Sequence, residues 1–172
     1  MHQSNRPGLF SPAPLVSYKA IESEHTCFVL LGGEDRYVEQ AKNLNIKNFI
    51  RVPFASTLKE VHEVLSCFDV YAHGRSDGEV CSSSIIEAMY HGMPIVTHPS
   101  NINNGHLYQI SGCGFSANSI EQYAKVLYDL MNSKELFEEV KTRTRRCYNE
   151  KFSFEKTKNQ LLNVLENEIK RQ

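Results

Sequence analysis

Residues 69–97 have the sequence DVYAHGRSDGEVCSSSIIEAMYHGMPIVT, and this stretch decides the fold. It contains a short apolar run at 69–72, a polar loop at 73–78, a helix-like segment at 82–91 and a second apolar run at 94–97. Two short apolar runs joined by one helix are typical of a right-handed βαβ unit. The stretch therefore predicts two strands of a parallel sheet.

The same alternation continues on both sides of this unit. An apolar run at 27–31 ends at Gly32-Gly33, which suits a buried parallel strand. Further strands are predicted at 49–54 and 114–117, and helices at 13–21, 36–44, from 56 or 57 to 67, 121–131, 134–147 and 154–169. We therefore predict an α/β fold, with a Rossmann-like parallel sheet of at least five strands, helices on both faces and a helical C-terminal segment.

The domain organisation follows from length and pattern. A chain of 172 residues suits one compact domain, so we predict a single domain over 1–172 that includes the helical segment 119–172. Only a few residues precede the first helix, and a strand would be expected there. We therefore expect that the chain begins inside a larger protein.

Composition excludes several function classes. The net charge of −1 gives no attraction to nucleic acid or to an anionic membrane. Five scattered cysteines without a Cys-x-x-Cys pair favour a reducing compartment, and seven histidines show no metal-ligand spacing. No apolar stretch is long enough for a membrane span, and no secretory signal is present. We expect a cytoplasmic protein that uses no metal and no cofactor.

The loop and helix start at 78–84 are the candidate ligand site. In open parallel sheets, ligands lie beyond the carboxyl ends of the strands, and a helix N-terminus favours phosphate. Glu79 lies in the loop and Glu87 lies two turns into the helix, so both can face a ligand across the N-terminus. Carboxylates bind hydroxyls rather than phosphate, which indicates a sugar or a ribose. The alternative is an ordinary serine-capped helix with two surface glutamates.

Glu79, seven intervening residues and then Glu87-Ala88-Met89, with the segment 92–96 after it, resemble the glutamate-pair motif of retaining GT-B glycosyltransferases. The closest group is the family-four type, which uses nucleotide-activated sugars. Segments 28–33, 48–54 and 103–106 extend the resemblance, which covers about residues 15–165 in order. The resemblance implies that the chain is the C-terminal, donor-binding half of a GT-B fold.

Carried over by position, the resemblance implies a role for each residue of the site. Glu79 contacts the donor sugar and is the catalytic candidate, backbone N–H groups of residues 81–83 meet the sugar and diphosphate, and Glu87 binds the ribose. Backbone around residues 52–54 borders the base, and an Arg near the first strand–helix loop neutralises the diphosphate. The donor-binding residues implied are Arg6, Gly33, Pro53, Phe54, Glu79, Val80, Cys81, Ser82, Ser83 and Glu87.

The sequence departs from the family pattern at two places. No lysine stands where the family places one beside the diphosphate, and Cys81-Ser82 replaces the usual aromatic-glycine pair. The resemblance also implies an N-terminal acceptor domain as partner, so this chain alone is expected not to transfer a sugar. The last helix either crosses to the acceptor domain or packs only on its own domain. A peripheral association with a membrane would take place through the acceptor domain.

Three alternative hypotheses remain at this point, and the donor and the acceptor are not identified. The first hypothesis is a degenerate glycosyltransferase-like module that binds without catalysis. The second is a sugar-nucleotide epimerase, and the Glu79–Glu87 pair argues against it. A dinucleotide-binding or flavodoxin-like domain is weaker, because no Gly-x-Gly-x-x-Gly follows a strand. The donor is a UDP-, GDP- or ADP-linked sugar, and the acceptor is unknown.

Overall fold

The computed structural model describes residues 11–33 and 35–171. This part of the chain contains eight helices and five strands, which alternate up to the last strand and are followed by three consecutive helices. In order they are α1 (Ala13–Ile21), β1 (Phe28–Leu31), α2 (Asp35–Asn43), β2 (Phe49–Val52), α3 (Leu58–Leu65), β3 (Tyr71–Ala72), α4 (Ser83–Tyr90), β4 (Ile95–Thr97), α5 (Gly105–Gln109), β5 (Phe115–Ser116), α6 (Ile120–Asn132), α7 (Lys134–Lys151) and α8 (Phe154–Ile169).

All strand pairs are parallel, and the α/β fold with a helical C-terminal segment is confirmed. β1 pairs with β2, with residues 28–31 opposite 49–52. β4 lies between β3 and β5 in a second sheet. The five predicted strands are therefore present, but among the described residues they form two sheets rather than one. Apolar periodicity predicts the number of strands, but it does not predict which strands pair.

Strand β4 divides the core between two helix layers. Because successive side chains of a strand point to opposite faces, Ile95 packs with Ile85 and Met89 of α4, whereas Val96 packs with Tyr123 of α6. All five side chains are fully buried. Helices therefore cover both faces of the three-stranded sheet, and the start of α4 is anchored to its centre.

The predicted elements are recovered with shifted ends, and one helix was missed. The strand expected at 49–54 ends at Val52, because Pro53 has no N–H with which to continue the ladder. The five-residue helix α5 was not predicted, since it is too short to show a 3.6-residue apolar period.

Helix α8 is the exception to the burial of the other helices. It buries none of its residues, although Ser153 caps it by accepting the N–H of Lys156. Within the described residues α8 contacts α7, and a crossing to another domain stays a prediction. Its exposed apolar side chains are Phe154, Leu161, Leu162, Val164, Leu165 and Ile169. No helix in the described part of the chain is both long enough and apolar enough to cross a lipid bilayer.

Candidate functional site

The β3–α4 loop, defined as residues 73–82, carries Glu79 at the carboxyl end of the three-stranded sheet. Gly78 precedes Glu79 with φ of 62°, a conformation that L side chains rarely adopt. A Cβ at Gly78 would also collide with the backbone carbonyl of Asn103. Glycine is therefore required at this position, where the loop lies directly against the segment before α5.

His106 of α5 holds the main chain of Glu79 from both sides. Its own N–H donates to the Glu79 carbonyl at 2.8 Å, and the N–H of Glu79 donates to its Nδ1 at 3.3 Å. The Nε2 of His106 lies 3.0 Å from the His98 carbonyl. Since Nδ1 accepts and Nε2 donates, the ring is the neutral Nε2–H tautomer. His106 is fully buried and fixes the position of Glu79.

Gln109, one turn further along α5, holds Ser82 in the same way. The Ser82 N–H donates to Gln109 Oε1 at 2.7 Å, and Gln109 Nε2 donates to the Ser82 carbonyl at 3.1 Å. The Ser82 hydroxyl accepts the N–H of Ile85 and so caps α4. The Ser82 N–H, which the resemblance assigns to the donor, therefore already has an acceptor inside the domain.

The Glu79 carboxylate is buried, with 7% of the residue exposed, and it lies beside two cationic or titratable groups. Arg75 Nη1 donates to its Oε1 at 2.7 Å. His73 Nε2 lies 3.6 Å from its Oε2, while His73 Nδ1 lies 3.0 Å from the Thr97 hydroxyl. Arg75 thus orients Oε1 through a short hydrogen bond, and His73 lies beside Oε2.

The ionisation of this pair follows from burial and charge. Burial would raise the pKa of Glu79, but its interactions with His73, Ser82 and the Arg75 guanidinium outweigh this effect, so that its pKa falls to about 2. Burial lowers the pKa of His73, and Glu79 only partly opposes this shift. At neutral pH the site therefore contains an ionised Glu79 beside a neutral His73.

The start of α4 supplies hydrogen-bond donors beside Glu79. A helix leaves its first N–H groups without intrahelical acceptors, and in α4 the Ser82 hydroxyl takes only that of Ile85. The N–H groups of Ser83 and Ser84 are left uncapped by any side chain in the described ranges. The Tyr71 hydroxyl donates to the Ser84 hydroxyl at 2.8 Å, which ties this helix end to β3. An anion can approach here along the helix dipole.

A second group of predicted residues follows β1 and β2. Gly32 and Gly33 have φ of 67° and 75°, and the Phe54 ring lies so close to Gly32 that a Cβ there would meet it. The Tyr37 hydroxyl of α2 donates to the Gly74 carbonyl at 3.1 Å. This bond connects the group after β1 with the β3–α4 loop.

The structure thus sorts the predicted site residues by environment. Glu79 and Ser82 are buried, Glu87 is half-buried on α4, and the side chains of Val80, Cys81 and Ser83 face solvent at the loop and helix start. Gly33, Pro53 and Phe54 lie at the ends of β1 and β2. Arg6 lies outside the described residues.

Sequence reasoning missed three side chains that organise the loop. Arg75 offered a signal, since it stands four residues before Glu79 in a loop with Asp77. His106 and Gln109 offered none, because their contacts with Glu79 and Ser82 cross 27 residues of chain.

A separate cleft of about 320 Å³ lies at the opposite end of the three-stranded sheet. It is lined by the ends of α3 and α4 and by α7, including His91, Lys141 and Arg145. Arg145 donates to the His91 carbonyl, so this charge caps the C-terminus of α4. The cleft contains neither glutamate of the predicted pair. Within 11–33 and 35–171, no three His, Cys, Asp or Glu side chains are grouped so that they could hold a metal ion.

Comparison with known families gives a match over most of this architecture. The model for "Glycosyl transferases group 1" matches residues 14–147, which include both sheets, the β3–α4 loop and most of α7. This chain is a group 1 glycosyl transferase domain. None of the curated proteins matches the sequence of the domain significantly.

Solved structures share the GT-B fold of the glycosyl transferase domain. Alr3699/HepE from Anabaena, solved in complex with UDP and glucose, superimposes with a TM-score of 0.76 and 17% identity over 95% of this chain and 47% of that chain. The C-terminal domain of the group 1 glycosyl transferase LpcC from Francisella tularensis gives 0.61 and 16%, over 83% and 77%. WaaG, a glycosyltransferase involved in lipopolysaccharide biosynthesis, gives 0.66 and 20%, over 81% and 38%. The domain therefore spans about half the length of the HepE chain.

Proposed function

We propose that this domain binds the nucleotide-sugar donor of a retaining, family-four type glycosyltransferase. The observation that carries the proposal is the buried, ionised Glu79 beside the N-terminus of α4, where Ser82 caps only the N–H of Ile85. A carboxylate at this place accepts hydrogen bonds from sugar hydroxyls, while the helix N-terminus takes the diphosphate. The complexes of HepE with UDP and with UDP-glucose support the same class of ligand.

Each part of the donor has its own residues in this proposal. Glu79 accepts from the sugar hydroxyls, and the N–H groups of Cys81 and Ser83 donate to the sugar and diphosphate. Glu87 accepts from the ribose hydroxyls, and the backbone at Pro53 and Phe54 borders the base. The Ser82 N–H contributes only if it leaves Gln109, so its role in this proposal is to cap α4.

In the proposed reaction the bond between the anomeric carbon and the diphosphate breaks, the acceptor hydroxyl oxygen bonds the same face of that carbon, and the hydroxyl proton is released together with the diphosphate. The dipole of α4 stabilises the negative charge that grows on the departing diphosphate. No residue of the domain is assigned as a metal ligand, and the donor is bound without a cofactor. Arg6 is proposed as the additional cation beside the diphosphate.

The acceptor is proposed to bind a second domain, as expected for a domain that spans about half of the HepE chain. Helix α8 is the proposed link to that domain, because its apolar side chains are exposed here. The donor-binding domain alone is accordingly expected not to transfer a sugar. The five cysteines, none of them in a disulfide, favour a cytoplasmic location.

The test separates the two glutamates by calorimetry with UDP and UDP-glucose. Glu87→Ala should weaken both ligands by about 1.5–3 kcal/mol, or roughly ten- to a hundred-fold, because it removes hydrogen bonds to a charged group. Glu79→Ala should weaken only the sugar conjugate. Glu138→Ala on the exposed surface of α7 is the control and should change neither affinity. Equal effects of Glu79→Ala on both ligands, or none of Glu87→Ala, would remove the assignment.

A binding module without catalysis is the second candidate. Cys81-Ser82 replaces the aromatic-glycine pair of the family, and no lysine stands where the family has one beside the diphosphate. Arg75 is already paired with two carboxylates, so it does not replace that lysine. Incubation of a two-domain form with UDP-glucose decides between the candidates. Release of UDP with a glycosylated product supports the transferase, and tight binding without release supports the module.

A further inference from the structure

Arg75 forms a compact ion cluster within the β3–α4 loop. Its Nε and Nη2 donate to the two carboxylate oxygens of Asp77 at 3.0 and 2.8 Å, and its Nη1 donates to Glu79 Oε1 at 2.7 Å. The side chain is 18% exposed, and that of Glu79 is 6% exposed. The planar guanidinium therefore spans both acids and fixes their relative positions.

The cluster carries one positive and two negative charges, so its net charge is −1. A buried carboxylate is costly unless it is paired and hydrogen-bonded, and Arg75 provides both to Glu79. The two-point contact with Asp77 is the geometry that holds a guanidinium most rigidly. Asp77 thus orients Arg75, and Arg75 orients Glu79.

An alternative role for Arg75 would be to neutralise the diphosphate of the donor. Three of its nitrogens already donate to Asp77 and Glu79, and the cluster as a whole is negative. Its charge is therefore already offset by two carboxylates within the cluster. The geometry favours a role that acts through Glu79.

We propose that Arg75 is a positioning residue for the sugar part of the donor. It contributes to sugar recognition only by holding the Glu79 carboxylate in place. This inference rests on the proposed donor-binding function. An ionised carboxylate has about four acceptor sites, so the bond from Arg75 leaves capacity for sugar hydroxyls. Arg75 thus determines how strongly the sugar adds to nucleotide binding, and it does not touch the nucleotide.

The experiment compares charge-matched variants by calorimetry. The double variant Arg75→Met with Asp77→Asn removes the guanidinium and keeps the net charge at −1, so the approach of an anion is unchanged. Arg75→Lys keeps the charge but cannot span two carboxylates, and Asp77→Asn alone is the control for the aspartate. Each is titrated with UDP, GDP and ADP and with UDP-glucose, GDP-mannose and ADP-glucose, after a thermal melt.

The affinity of the double variant for the preferred free nucleotide should stay within about twofold of that of the parent. Its affinity for the corresponding sugar conjugate should be about tenfold lower than that of the parent. Arg75→Lys should lose about threefold on the conjugate alone, and it carries the test if the double variant fails to fold. Equal losses on both ligands would overturn the proposal and assign Arg75 to the diphosphate. No loss on either would reduce the cluster to a structural ion pair.

The result for the parent protein separates this proposal from the function on which it rests. If the parent binds none of the six ligands, the donor-binding function fails. If it binds a nucleotide but no sugar conjugate more tightly, Glu79 makes no sugar contact. In that case the positioning role of Arg75 falls while nucleotide binding stands.

Discussion

The two sheets of this domain differ in how firmly they hold the residues at their carboxyl ends. In the three-stranded sheet, β4 is fully buried, and the loop after β3 is bonded to α5 through His106 and Gln109. In the two-stranded sheet, every residue of β1 is half-buried, and two residues of β2 are exposed. Phe54, beyond β2, is exposed as well.

The difference separates two kinds of recognition within one site. The region around Glu79 is held by short hydrogen bonds between buried groups, which suits contacts that must keep one geometry during a reaction. The region around Gly32 and Phe54 is bounded by a side chain that can move, which suits the tolerant binding of a base through backbone groups. Stability experiments can test whether the two regions differ as strongly in solution.

The largest effect is expected from Gly78→Ala. The substitution forces alanine to a φ of 62° and pushes its Cβ against the Asn103 carbonyl, which is backbone and cannot turn away. The free energy of unfolding should fall by about 3–4 kcal/mol, measured by urea denaturation. Gly32→Ala has a similar φ but meets only the Phe54 ring, so its cost should be about 1–2 kcal/mol.

Gly112→Ala provides the baseline for these two variants. Gly112 has φ of 84°, and an added Cβ would meet nothing within 4 Å. The expected decrease of about 1 kcal/mol in the free energy of unfolding therefore comes from the backbone conformation alone. If Gly78→Ala costs no more than Gly112→Ala, the loop yields easily, and the contrast between the two regions is wrong.

The matched pair Ile95→Ala and Ile50→Ala tests the sheets themselves. Ile95 in β4 is 0% exposed and Ile50 in β2 is 53% exposed. Truncation of a fully buried isoleucine costs about 2–4 kcal/mol because a cavity remains, whereas the exposed position should cost less than about 1 kcal/mol. Both variants are measured by chemical denaturation, and similar losses would mean that β2 is covered in solution.

The same contrast explains what the sequence could predict. Local periodicity located every strand and every long helix, because each has its own apolar pattern. The Glu79–Glu87 pair was visible as a motif in a loop before a helix. The contacts of His106 and Gln109 with that loop were not, because they depend on how two segments 27 residues apart pack together.

The division into two sheets was likewise beyond the sequence. The apolar runs of β1 and β3 are similar, and neither indicates whether the two strands pair with each other. In the described part of the chain they do not pair. Strand pairing is a property of edges that meet only after folding.

The smallest effect is expected from acid, through His73. Burial lowers the pKa of His73 below 6.5, so at mildly acidic pH His73 binds a proton more readily in the unfolded chain than in the folded chain. The free energy of unfolding should therefore decrease as pH falls below 6.5. A further decrease should appear between pH 4.5 and about 2, where the stabilisation from Glu79, whose pKa is lowered to about 2, is lost.

Urea titrations from pH 7.5 to 2 measure both steps. His73→Asn should reduce the first step, and Glu79→Gln should reduce the second, to which Glu22 also contributes because its pKa is lowered to about 2. His91 also has a pKa lowered by burial and by His62 and Arg145, so His91→Asn is the control for the remaining slope. An unchanged slope in His73→Asn would mean that His73 is not the group that resists protonation.

The hydrogen bonds between α5 and the β3–α4 loop leave the side chain of Val80 replaceable. The backbone of Glu79 and that of Ser82 are each bonded at both N–H and carbonyl, while Val80 and Cys81 between them point to solvent. The Cys81 Sγ accepts a hydrogen bond from Gln109 Nε2 at 3.4 Å, whereas the Val80 side chain can be exchanged without altering the path of the main chain that carries it. A library at residue 80 would therefore vary the lining of the site while the main chain stays fixed, which makes this position a suitable start for redirecting the choice of sugar.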